Sequence, residues 1–114
     1  MAVALTHLGG GSAGSTSSVT TGSITPVVNR GYLVAVRNSV SSGTPNAPTI
    51  TGDGLTFVQV VTAVQETERV TIFRAMKPSG LSAGALTIAF ASQTQAEVEW
   101  SIDEATGMRT SGTD

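Results

Sequence analysis

From residue 85 to residue 103 the chain alternates. Leu86, Ile88 and Phe90 fall on one side of an extended backbone and Thr87 and Ala89 on the other. After a short SQTQ break, Val98, Trp100 and Ile102 oppose Glu97, Glu99, Ser101 and Asp103. Successive side chains of a strand point to opposite faces, so a period of two buries one face and leaves the other in water. A helix built from the same residues would scatter the apolar groups around its axis. The pattern therefore demands sheet, and sheet in turn demands partners.

The remaining segments repeat the theme between turn signals. Tyr32–Asn38 is a short run, apolar on both faces until Arg37, and reads as a central strand between two packed layers. Residues 39–49 carry Gly43, Pro45, Asn46 and Pro48 and read as a loop. Gly52-Asp53-Gly54 is a turn. Leu55–Val64 reads as one long strand, with Phe57 and Val61 on one face and Val58, Val60 and Val64 on the other. QETE at 65–68 makes a hairpin tip, and Arg69–Met76 returns with Val70 and Ile72 opposite Thr71 and Phe73. Ala2–Leu8 is a strand candidate and Ser17–Ile24 a weak or edge strand. Between them, GGGSAGS at 9–15 reads as flexible.

Turns spaced by about 8–12 residues mark a sandwich or barrel. The expected fold is all-β: an antiparallel, jelly-roll-like β-sandwich of about seven to eight strands. One domain spans residues 1–114, with an N-terminal arm and weak strand at 1–23 and the sandwich core at 24–114. The expected core is Leu33, Val34, Val36, Phe57, Ile72, Phe73, Ile88, Phe90 and Trp100.

Composition removes several functions. Only 12% of residues are charged and the net charge is −2, so no basic patch exists for nucleic acid or an anionic membrane. With no cysteine there is neither a disulfide framework nor a thiolate metal site. No apolar run reaches the length of a membrane-spanning helix, and MAVALTHLGGGSAGS lacks the charged start and apolar core of a signal peptide.

Motifs for chemistry are scarce. Glu97, Glu99 and Asp103 line one face of the last alternating segment, with Glu104 beyond. A glycosidase holds two carboxyls about 5–10 Å apart, which any i, i+2 pair approaches, so a solvated strand face accounts for them. Asp53 lacks the further oxygen ligands of a calcium loop. His7, the single histidine, has no second His or Cys with which to hold zinc. GGGSAGST lacks the GK[ST] ending of a phosphate loop. Tyr32 and Trp100 could serve a sugar platform, but Trp100 shares its face with Val98 and Ile102 and reads as core. Arg37 and Arg74 are expected to snorkel or to pair with a neighbouring acid. No catalytic residue, cofactor or metal is expected.

The sequence of segments GYLVAVRNS, TITGDGLTFVQVV, RVTIFRAMKPSG, ALTIAFA and AEVEWSIDEATGMRTSG resembles small jelly-roll proteins of tailed-phage virions and bacterial surfaces. Leu55-Thr56-Phe57, Arg74-Ala75, Ala89-Phe90 and Glu104-Ala105-Thr106-Gly107 fit that pattern, which runs from about residue 24 onward. The resemblance implies a non-enzymatic virion component, a capsid decoration or tail protein, working by self-assembly and by docking on a capsid or tail protein. It places the protein on a virion or an extracellular surface. The alternative is a glycan-binding module, since some similar proteins are like carbohydrate-binding modules. Such chains continue past the TSG segment with further strands. A turn at Gly107 leading to another strand is expected here, and the sandwich looks incomplete without it. Either the sequence is part of a longer protein, or a neighbouring copy supplies the missing edge, with Val3, Leu5, Glu97 and Glu99 as the expected assembly contacts.

Overall fold

The computed structural model describes residues 2–107. Nine strands occur among them: β1 (Ala4–Thr16), β2 (Ser18–Ile24), β3 (Gly31–Ser39), β4 (Thr49–Gly52), β5 (Leu55–Thr56), β6 (Val58–Gln65), β7 (Glu68–Ala75), β8 (Gly84–Ala89) and β9 (Gln95–Thr106). They form two antiparallel sheets, ordered β1-β9-β3-β7-β6 and β2-β8-β4-β5. The fold is the expected all-β sandwich.

Its topology is a nested hairpin. β1 pairs with β9, β2 with β8, β3 with β7 and β4 with β5, all antiparallel. This ribbon folds over so that β3 also meets β9 and β4 also meets β8, which is a jelly roll. β6 is an addition, a hairpin strand laid outside β7. The four nested pairs all lie within the described residues.

The expected gap beside the last strand is not found. β9 runs between β1 and β3, and its outer partner is the N-terminal segment. The further strand expected after Gly107 would fall outside the described residues.

The strand expected over Ala2–Leu8 is the first part of β1, and it continues through the glycine run. GGGSAGS is strand throughout, not a flexible arm. Gly11 lies opposite Trp100, and a Cβ on Gly11 would stand 2.6 Å from Cζ2 of that indole. The indole occupies the space a side chain would need, and it packs against the main core cluster from there. Gly11→Ala is expected to cost about 1–3 kcal/mol by overpacking. Gly9, whose added Cβ would meet nothing within 4 Å, is the matched control. Urea unfolding of both alanine variants checks this; equal midpoints would refute the packing role.

The core lies between the sheets. Val34, Val36, Phe73, Ile88 and Phe90 are buried there as expected, joined by Val19, Ile24, Ile50, Leu86, Val98 and Ile102. Phe57 and Trp100 are partly buried against this cluster. Phe57 sits where the chain leaves the four-stranded sheet for the five-stranded one, which breaks the long strand expected over 55–64 into β5 and β6. A bulge between Gln59 and Val61 then changes the side-chain phase of β6. Val58 and Val61 consequently share the outer face, opposite Arg74 and Ile72, while Thr62 and Val64 face inward, opposite Thr71 and Arg69.

Leu33 and Ile72 are corrections to the expected core. Val34 and Val36 point inward from β3, so Leu33, Ala35 and Arg37 point outward, and Ile72 lies opposite Ala35. Both residues are half-buried on the outside of the five-stranded sheet. A strand apolar on both faces reads as one packed between two layers, but here only one layer covers it.

Candidate functional site

The outer face of the five-stranded sheet divides in two. Toward β1 and β9 it is polar and small: His7, Gly10, Ser12 and Gly14 stand opposite Asp103, Ser101, Glu99 and Glu97. Toward β6 it is largely apolar: Leu33, Ala35, Val58, Val61, Ala63, Val70 and Ile72 share one surface, with Arg74 between Leu33 and Val58. Val58, Val61 and Val70 are 42%, 50% and 47% exposed, so nothing in the fold covers them.

Arg37 stands at the boundary. Its guanidinium donates to Glu97 and Glu99, each at 3.3 Å, and to Glu68. The hydrogen bond to Glu68, then that to Glu97, raises its pKa. One cation thus ties β3 to both neighbouring strands, and Glu97 and Glu99 project from an interior strand into an open ion cluster. An exposed cluster of this kind contributes little to stability. Arg37 meets the expectation of an acidic partner. His7 lies 3.0 Å from Asp103 on the same face.

Val3 and Leu5 are where an edge contact would have them. Val3 precedes β1, Leu5 lies within it, and they are 60% and 65% exposed. Glu97 and Glu99 are exposed as well, but their strand is not an edge. The structure therefore separates the four expected contacts into an edge pair and an ion-paired interior pair.

All five aromatic side chains turn inward. Tyr32, Phe73 and Phe90 are buried, and Phe57 and Trp100 are packed against the core. None lies flat on the outer face. Among the described residues no three His, Cys, Asp or Glu side chains cluster as metal ligands. Asp53 sits in the turn between β4 and β5 with its carboxyl buried, and burial raises its pKa.

Two buried polar arrangements escaped the sequence reading. At one end of the sandwich Tyr32 Oη donates to Glu104 at 2.5 Å, accepts from the Val27 amide at 2.7 Å, and Arg30 donates to the other oxygen of Glu104 at 2.9 Å. At the opposite end Asn38 donates to Gln95 Oε1 at 2.9 Å and to the Asn46 carbonyl at 3.0 Å, while Gln93 accepts from the Asn46 amide at 2.6 Å. Arg69 donates to the Pro45 carbonyl at 2.9 Å. Each arrangement pins a loop to the sheets.

No family model, no curated protein and no solved structure matches this chain. What its surface does has to follow from the chemistry of the surface. The feature that stands out is the placing of large apolar side chains at the outermost strands of the five-stranded sheet. Val3, Leu5 and Leu8 lie on or beside β1, and Val58, Val60, Val61 and Val64 lie on β6.

Proposed function

We propose that this chain is a non-enzymatic structural module, a virion component of the capsid-decoration or tail type, that self-assembles and docks through its sheet edges. The concentration of exposed valine and leucine at β1 and β6 carries this reading. An edge strand presents unpaired N–H and C=O groups, and natural proteins usually blunt such edges with lysine, proline or a cover. β6, VQVVTAVQ, has neither lysine nor proline and no charge at all. Contiguous exposed apolar surface of this sort marks an interaction site. The virion assignment adds to this the likeness of the strand pattern to phage jelly-roll proteins.

The carboxylates fit the same reading. Glu97 and Glu99 spend their charge on Arg37 on an open sheet surface. The glycan-binding alternative calls for aromatic faces turned to water, and the inward setting of Tyr32 and Trp100 does not favour it.

Light scattering of the purified chain over a range of concentration tests the proposal. A defined oligomer that dissociates on dilution is the expected result. A monomer at every concentration would overturn self-assembly.

A further inference from the structure

We infer that Asp53 is a proton-operated latch: its protonated side chain closes the β4–β5 turn against the loop between β7 and β8, and its ionised side chain loosens that closure. The inference stands apart from the assembly reading. Asp53 is 9% exposed, and its Oδ2 is buried with no hydrogen-bond partner among the described residues. An ionised carboxyl accepts hydrogen bonds through both oxygens, so a buried oxygen without a donor disfavours the charged form. The neutral acid removes the charge and gains an O–H donor.

The backbone holds the carboxyl there with little slack. Gly52, Asp53 and Gly54 have φ of +136°, +59° and +77°, so the whole turn lies at positive φ. A Cβ on Gly52 would stand 2.9 Å from the Ala85 carbonyl oxygen, and a Cβ on Gly84 would stand 2.9 Å from Oδ1 of Asp53. The carboxyl is thus fitted against the start of β8, where a glycine leaves room for it. The Ser82 amide donates to the Asp53 carbonyl at 3.0 Å. One residue therefore carries both the buried acid and the bond that holds the loop.

The elements around the turn bring almost no charge to it. β4, β5, β8 and β2 contain no charged residue. The loop between β7 and β8 has one, Lys77, whose carbonyl accepts from the Asn29 amide at 2.8 Å in the turn before β3. Desolvation raises the Asp53 pKa above its ordinary 3.8, and neither Lys77 nor any other charge contributes to the shift. The native state therefore holds this proton more tightly than the unfolded chain does. The stability it contributes is full below pH 3.8 and is lost as pH rises through the raised native value.

D53N keeps the shape of the side chain, suits a left-handed turn and cannot ionise. Its urea midpoint is expected above that of the parent at neutral pH, with the gap closing below pH 3.8. The other carboxyls titrate alike in both proteins, so the difference isolates Asp53. Hydrogen exchange locates the effect. Protection of the Ser82 amide, corrected for its intrinsic rate and compared with D53N at the same pH, should rise in the parent on acidification. A D53N midpoint below the parent's at neutral pH would mean that the carboxylate is satisfied, by a bound cation or another partner, and would overturn the latch. A gap of the same size at both pH values would assign it to the backbone preference of asparagine and overturn the latch as well. Ser82 protection that follows D53N at every pH would show that ionisation does not loosen the loop.

Discussion

Gly54→Ala is expected to destabilise the fold by about 2–5 kcal/mol, summing a left-handed backbone penalty and an overpacked contact. Gly54 has φ +77°, and a Cβ there would stand 2.1 Å from the Gly80 carbonyl oxygen. That oxygen belongs to backbone and has little freedom to give way, because the loop is held to the turn by the Ser82 amide donating to the Asp53 carbonyl at 3.0 Å. Relief would mean pulling the loop between β7 and β8 away from the β4–β5 turn. Gly43 separates the two contributions. Its φ is +84°, yet an added Cβ would meet nothing within 4 Å. Gly43→Ala should therefore show the backbone part alone, about 1–2 kcal/mol. Urea unfolding of both variants measures the difference. A Gly54→Ala midpoint no lower than that of Gly43→Ala would mean that the Gly80 contact does not hold the turn.

That turn was legible, and so was most of the sheet-forming pattern, because both depend on neighbours in sequence. Gly52-Asp53-Gly54 marks a reversal by residue type alone, and the alternation over 85–103 fixes which side of β8 and β9 is buried. What escaped depends on distant partners. The glycine run looks flexible until Trp100, 89 positions after Gly11, is seen to occupy the space above it. The bulge at Val60 has no mark in VQVVTAVQ, and it reverses the faces expected for half of that strand. Leu33 and Ile72 read as core in the sequence because an apolar residue on either face of a strand looks equally buried. Only the sheet order shows that their face is the outer one.

Glu104 is a different kind of miss, since its signal was present. It has the parity of Val98, Trp100 and Ile102, not of Glu97 and Glu99, so the alternation itself turns it inward. Its partners could not be read locally: Tyr32 is 72 positions away and Arg30 is 74. The strand pattern alone contains no information about which edge is left open. That comes from the sheet order, with β6 outside the nested hairpin.

Tyr32→Phe is expected to cost about 2–4 kcal/mol, because two buried groups lose their partner at once. The Val27 amide and the Glu104 carboxylate both hydrogen-bond the Tyr32 hydroxyl, Tyr32 is fully buried, and Glu104 is only 8% exposed. Arg30 still neutralises Glu104, which keeps the loss below that of an isolated buried charge. The pH dependence separates this network from simple packing. Desolvation, and then the hydrogen bond to Glu104, push the Tyr32 hydroxyl from 10.0 up to about 12. The unfolded chain releases this proton at its ordinary pKa while the native protein still holds it, so alkali favours unfolding. The stability contributed by the raised pKa is full below pH 10.0 and is lost as pH rises through about 12. Tyr32 is the single tyrosine, so phenolate absorbance reports it directly. Native protein should resist ionisation at pH values where the urea-unfolded chain is already titrated, and Tyr32→Phe, already less stable, should lose this part of the alkaline decline. If the phenolate forms near pH 10.0 while the sheet signal in circular dichroism is intact, the hydroxyl is not held against Glu104, and the loop over residues 25–30 must be anchored in some other way.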